Sequence, residues 1–133
     1  MADERIFLKK GFQVVDSAPP DFELLAKNFD ENAPTPKFKG DWEEILSKYR
    51  EGLTIFWSDQ CPYTAKTIGE LIATVEEFGI KANVVELKTC VDAQSSPCAF
   101  GVFCVVYNGK VVAFNPISKR RLSNILNKEL KSK

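Results

Sequence analysis

Histidine is absent from this chain. Without it there is no Ser-His-Asp or Cys-His catalysis, and the usual general base near neutral pH is missing. Cysteine is sparse, with four residues at positions 61, 90, 98 and 104. They lack the paired short spacing of a zinc site and no histidine can complete one, so neither a metal nor a cofactor is expected. An excess of either charge is missing too, since 18 Lys and Arg balance 18 Asp and Glu. No summed field draws the protein to nucleic acid or to an anionic membrane. Trp42, Tyr49 and Trp57 are spaced as core residues rather than as a base-stacking platform. Long apolar runs are also lacking: the most apolar window, Phe100 to Phe114, is interrupted by Asn108-Gly109-Lys110 and is shorter than the ~20 residues of a spanning helix. The charged start Met1-Ala2-Asp3-Glu4-Arg5 is followed by no signal-like apolar run, so a cytoplasmic address is expected. Repeats and low-complexity tracts are absent.

What is present is enough for one core, since 44% of the 133 residues are hydrophobic. The richest stretch is Cys61-Pro62-Tyr63-Thr64. It stands where an apolar strand, Leu53-Thr54-Ile55-Phe56-Trp57, hands over to an amphipathic helix. A cysteine at a helix start meets unpaired N–H groups and the positive end of the helix dipole, which favour a thiolate. Thr64 occupies the place of a second cysteine, so a CxxC disulfide cannot form.

Along the chain, Arg5 to Asp30 reads as the end of a helix followed by two strands, Gln13–Asp16 and Phe22–Lys27, separated by Pro19-Pro20. Glu31 to Lys39 carries Pro34 and Pro36 and reads as a stiff linker. Residues 41–133 then form the main domain. Asp41 caps a helix reaching about Arg50, with Glu44 three residues on and Gly52 beyond it. Strand 53–57 shows no polar alternation, as expected when both faces are covered. The helix over 61–79 buries Ile68, Leu71, Ile72, Val75 and Phe78 and serves as the crossover to a parallel strand at 84–87. Residues 89–99 read as a loop. Strands at 102–107 and 110–114 flank Asn108-Gly109, the signal of a type I′ hairpin. A last helix starts near Ser118, with Leu122, Ile125, Leu126 and Leu130 on one face.

This α-β-α-β-loop-β-β-α order, with a cysteine at the first strand-to-helix turn, resembles the thioredoxin fold: an α/β architecture with a central mixed sheet flanked by helices, here with a short N-terminal β extension. More narrowly, Cys61-Pro62-Tyr63-Thr64 followed by Phe100-Gly101-Val102-Phe103 and Tyr107-Asn108-Gly109-Lys110 is similar to the YoaP-like thioredoxin-fold domain found behind some GNAT-family acetyltransferases. Phe7-Leu8-Lys9-Lys10-Gly11-Phe12 leading into two strands resembles the end of a GNAT domain, which would make residues 1–30 its remnant and 31–40 the linker. Alternatively, residues 1–30 belong to this domain as an extra hairpin. The Arg/Gln-x-x-Gly-x-Gly/Ala turn that holds acetyl-CoA pyrophosphate in that family has no match here, so acetyltransferase activity is not expected of this chain alone. The chain departs from the thioredoxin pattern at the cis-proline, whose place falls on Gly101, with Pro97 four residues earlier. It departs from glutaredoxins in that Trp57-Ser58-Asp59-Gln60 has no lysine before the cysteine.

Two functions stay open at this point. The resemblance implies an accessory domain of a GNAT-type acetyltransferase system with monothiol redox chemistry. In that case Cys61 attacks a disulfide, Thr64 supports the thiolate, and Cys98, or an external thiol, resolves the intermediate, with a thiol or disulfide substrate as the partner. The alternative is a non-catalytic module that binds a substrate or an acetyltransferase partner. Pro62, Tyr63, Phe100 and Gly101 are the candidate contact residues in both. Cys98 has a pairing with Cys90 as its alternative, Cys104 reads as inert core within its strand, and Lys119-Arg120-Arg121 as a solvated helix start.

Overall fold

In the computed structural model, residues 3–132 are described. Met1 and Ala2 of the charged N-terminal stretch, and Lys133 at the other end, lie outside the described residues. The elements run α1 (Glu4–Lys9), β1 (Gln13–Ala18), β2 (Phe22–Ala26), α2 (Trp42–Ser47), β3 (Leu53–Trp57), α3 (Pro62–Glu77), β4 (Ala82–Glu86), α4 (Cys90–Gln94), β5 (Cys104–Tyr107), β6 (Lys110–Ala113) and α5 (Lys119–Lys131). β1 and β2 pair antiparallel as a separate two-stranded sheet. The main sheet is mixed, in the order β4-β3-β5-β6. β3 runs parallel to β4 and antiparallel to β5, and β5–β6 is the expected hairpin.

A strand with neighbours on both sides and cover on both faces must be apolar throughout, and β3 is buried from Leu53 to Phe56. Its alternate residues belong to two separate cores. Leu53 and Ile55 pack with Ile68, Leu71 and Val75 of α3 and with Leu122 and Leu126 of α5. Phe56 faces the other side, among Leu87, Cys98, Cys104, Val106 and Val111, with Phe22, Leu46 and Tyr49 packed against them. Full burial of each such aliphatic side chain contributes about 1.5–3 kcal/mol, which is why the helical spacing of α3 and α5 is decisive for the first core. The hairpin tip is fixed by its turn: Asn108 and Gly109 both take positive φ, +49° and +78°, as a type I′ turn requires. It is also tied to the α2–β3 connection. Asn108 Oδ1 accepts from Gly52 N–H at 3.0 Å, and Gly109 N–H donates to the Tyr49 carbonyl at 2.8 Å.

Several boundaries differ from the sequence reading. α2 stops at Ser47, where Lys48 already closes the helix with a three-residue hydrogen bond to Ile45, instead of reaching Arg50. β4 begins at Ala82 because its partner Leu53 extends the parallel ladder that far. β5 begins at Cys104 rather than 102, since Cys104 is the first residue to pair with β3, opposite Phe56. The segment read as a loop over 89–99 contains α4, started by a capping box. Thr89 Oγ1 accepts from Asp92 N–H at 3.1 Å, and the Asp92 carboxylate accepts from Thr89 N–H at 3.0 Å.

The α1–β1–β2 piece is fastened to the second face of the sheet by aromatic packing. The Phe22 ring lies 4.9 Å from that of Phe114, edge to face, and stacks on Phe100 at 5.7 Å. The Asp16 carboxylate accepts from Phe38 N–H at 2.7 Å, which holds the connecting segment against the hairpin.

Candidate functional site

β3 ends at Trp57, and Ser58 to Gln60 turn the chain so that Cys61 becomes the N-cap of α3. Cys61 is extended (φ −145°, ψ 129°) and exposed, and its side chain makes no capping hydrogen bond. Pro62 at the first helical position has the φ that the helix needs and no N–H to leave unpaired. Thr64 N–H donates to the Cys61 carbonyl at 3.0 Å, closing the first turn. Tyr63 is 79% exposed beside the cysteine. The four motif residues therefore form one surface at the end of the central strand, with a free thiol at the start of a 16-residue helix.

The remaining predicted residues lie on the segment between α4 and β5. Gly101, with φ +69° and open space where a Cβ would stand, reverses the chain there. Phe100 is 54% exposed and packs on Phe22 and Phe114, beside a cleft of about 530 Å³ that Phe22 and Phe114 line together with Glu4, Phe7, Glu23 and Leu25. At the edge of that cleft Glu23 hydrogen-bonds with Glu4, and this contact raises its carboxyl above the ordinary range. Pro97 is buried and its peptide bond is trans; the cis bond among the described residues is Pro19–Pro20, at the β1–β2 turn.

Cys98 is buried at 5% exposure and its thiol donates to the Phe100 carbonyl at 3.4 Å. Its side chain also meets that of Cys104, which is 1% exposed, in the core around Phe56. The Cys104 contact holds Cys98 below the ordinary thiol range, against the opposing effect of burial. Cys98 in turn pushes Cys104 well above that range, and burial adds to the push. All four cysteines are free, and Cys90 is exposed at the first turn of α4.

The structure thus groups Cys61, Pro62, Tyr63 and Thr64, and groups Phe100 with the N-terminal hairpin. It sets Cys98 against Cys104. That pair and the capping box of α4 are what the sequence reading did not find. The available signal for α4 was Thr89 with Asp92 three residues later, the same spacing that marks Asp41 and Glu44. Among the described residues no three Cys, Asp or Glu side chains converge as metal ligands, and no helix is long and apolar enough to cross a membrane.

The class so defined is a mixed α/β domain with an exposed cysteine capping the helix that follows its central strand. Residues 82–124 match the sequence model of a family described as YoaP-like. Over 127 residues the chain is 29% identical to a Bacillus subtilis (strain 168) protein named "Uncharacterized N-acetyltransferase YoaP". The match takes in 96% of this chain and 50% of that protein, so the chain spans about half the length of the curated relative it matches. The family-matched stretch runs from β4 into α5 and holds Cys90, Cys98 and Cys104, whereas Cys61 lies before it.

Proposed function

We propose that this chain is a thioredoxin-like accessory domain of an N-acetyltransferase system, with Cys61 as a monothiol nucleophile. The observation that carries the reading is Cys61 itself, exposed and uncommitted at the N-cap of α3 directly after the central strand. The parallel β3–β4 pair and the antiparallel β5–β6 hairpin support the fold assignment. Similarity to a protein named as an N-acetyltransferase, of which this chain covers half, supports the accessory role.

In this reading the Cys61 thiolate attacks one sulfur of a disulfide. A mixed disulfide forms, and the other sulfur leaves as a thiolate that takes up the proton Cys61 has lost. The helix N-terminus and Thr64 stabilise the attacking thiolate, while Pro62, Tyr63 and Gly101 shape the surface the substrate meets. An external thiol then attacks Cys61 sulfur and releases the bound half as a thiol. A second external thiol attacks the outer sulfur of the mixed disulfide so formed, returning Cys61 as the thiolate and leaving as the external disulfide; Cys98 is engaged by Cys104. Cys61→Ser abolishes reduction of a small aliphatic disulfide by a thiol donor; a variant that turns over at the wild-type rate would falsify the assignment.

A second reading, a non-catalytic binding module, rests on the exposed rings of Tyr63 and Phe100. It predicts that Tyr63→Ala and Phe100→Ala weaken binding to an acetyltransferase partner in a calorimetric titration while Cys61→Ser leaves that affinity unchanged. Equal binding by all three variants excludes it.

A further inference from the structure

Cys98 and Cys104 are a second thiol arrangement, on the sheet face opposite the α3–α5 core, and the chemistry of Cys61 makes no use of them. Packing alone does not ask for two sulfurs in contact, because small apolar residues would fill the same space. Gly101, with φ +69°, lies on the segment between the two cysteines, which share one buried cluster. Cys98 is also part of the wall of a surface cavity of about 270 Å³, with Phe38, Lys39, Trp42 and Gln94 around it. Cys98 therefore borders a space open to solvent, with a cationic side chain on its lining. Hydrogen peroxide, only somewhat larger than a water molecule with its ~30 Å³ share of the liquid, fits there. A peptide disulfide does not, given the 5% exposure of Cys98.

We propose that Cys98 and Cys104 form a dithiol site that reduces small hydroperoxides, with Cys98 as the attacking sulfur and Cys104 as the resolving one. Cys98 sulfur attacks the terminal peroxide oxygen and the O–O bond breaks. Cys98 becomes a sulfenic acid, and the departing oxygen takes the thiol proton and leaves as water or an alcohol. Cys104 sulfur then attacks Cys98 sulfur, the S–S bond forms, and the hydroxyl leaves as water with the Cys104 proton. Two thiols lose two electrons and one hydroperoxide gains them. The electrostatics fit this division of labour: Cys98 is the thiol that ionises more readily, and its contact is the largest influence keeping the proton on Cys104. Conversion to the neutral sulfenic acid removes that influence at the moment Cys104 must attack.

The test is a disulfide map of the full folded chain after titration with hydrogen peroxide, free thiols being alkylated on unfolding. Trypsin leaves Cys90, Cys98 and Cys104 together on the 89–110 peptide, so chymotrypsin, which cuts after Phe100 and Phe103, is used to part Cys104 from the peptide that carries both Cys90 and Cys98, and fragmentation of that peptide tells which of the two is linked. The expected product is a Cys98–Cys104 link with Cys90 still alkylated. Cys104→Ala loses the link and leaves Cys98 as a sulfenic acid that dimedone captures. Cys98 and Cys104 both fully alkylated at a peroxide level that has oxidised Cys61 overturns the proposal. So does a Cys61–Cys98 link, which would make Cys98 the partner of Cys61. The wild-type map decides the matter even if the variant does not fold, and it reads separately from disulfide reduction by Cys61.

Discussion

At the scale of single residues the four cysteines divide by their surroundings. Cys61 and Cys90 are exposed, whereas Cys98 and Cys104 are buried against each other. Iodoacetamide on the native protein is therefore expected to label Cys61 and Cys90 and to spare Cys104 until the chain unfolds; labelling of all four at one rate contradicts the burial. The pH dependence of Cys98 has a definite sign. Its ionisation is drawn down by Cys104, so its peroxide reactivity reaches half-maximum below the ~8.5 of a free thiol. It rises with pH through that midpoint and is lost in more acidic solution. Lys39 is the charged side chain lining the cavity beside Cys98, and Cys104 is the titratable group facing Cys98 in the core. A rate profile centred at or above ~8.5 would show that neither group helps the thiolate. Cys61 was legible in the sequence because a strand with no polar alternation and a proline at the first helical position fix its place without tertiary information. The Cys98–Cys104 contact was not, since it depends on the direction in which the chain leaves Gly101, and six residues of separation do not encode that direction.

Elements were legible where the pattern was long or the turn chemistry specific. Strand 53–57 and the Asn108-Gly109 hairpin met both conditions, and the long crossover helix needed only its spacing. Leu71 of α3 is fully buried between β3 and α5, so Leu71→Ala is expected to cost about 2–5 kcal/mol in denaturant unfolding. A loss under about 1 kcal/mol would mean that the core closes over the gap. The five-residue α4 was missed because so short a segment has no apolar period to read, and its capping box is its main local support. Asp92 lies below the ordinary carboxylate range, held there first by Thr89 and also by Lys88 N–H. A depressed carboxylate stabilises the folded state above its unfolded value, and this stabilisation is lost as pH falls through the lower folded value. Amide exchange at Lys88, Thr89 and Asp92, relative to the intrinsic rate at each pH, is thus expected to lose protection below about pH 4, while amides of β3 keep theirs. Protection at α4 that is flat across that range would show that the box contributes nothing.

For the whole molecule the question is how a 133-residue chain accommodates two sheets. A lone two-stranded hairpin is marginal in water, so β1–β2 depends on what it docks against. Its anchors are the Phe22 ring on Phe100 and Phe114 and the Asp16 bond to Phe38 N–H. The four-stranded sheet does not depend on it in the same way, because both faces of β3 draw most of their cover from α3, α5, α2 and the 87–102 segment. The composition shift at Pro34 and Pro36 was readable in the sequence, but the docking was not, since ring contacts across 78 and 92 positions leave no local pattern. Phe22→Ala removes two aromatic pairs, each worth about 0.5–1.5 kcal/mol beyond burial. Detachment of the hairpin is the expected result, with trypsin cutting at Lys27, Lys37 or Lys39 while the remainder stays resistant. Uniform digestion of the whole chain would instead make the hairpin an integral part of one cooperative unit. Release would also free the Phe100 ring that now stacks on Phe22, so the same variant changes the surface next to Gly101 without touching a cysteine. If that surface is where a partner binds, affinity falls with Phe22→Ala while reduction of small disulfides at Cys61 is retained; a parallel loss of both would mean that the hairpin supports the thiol site as well.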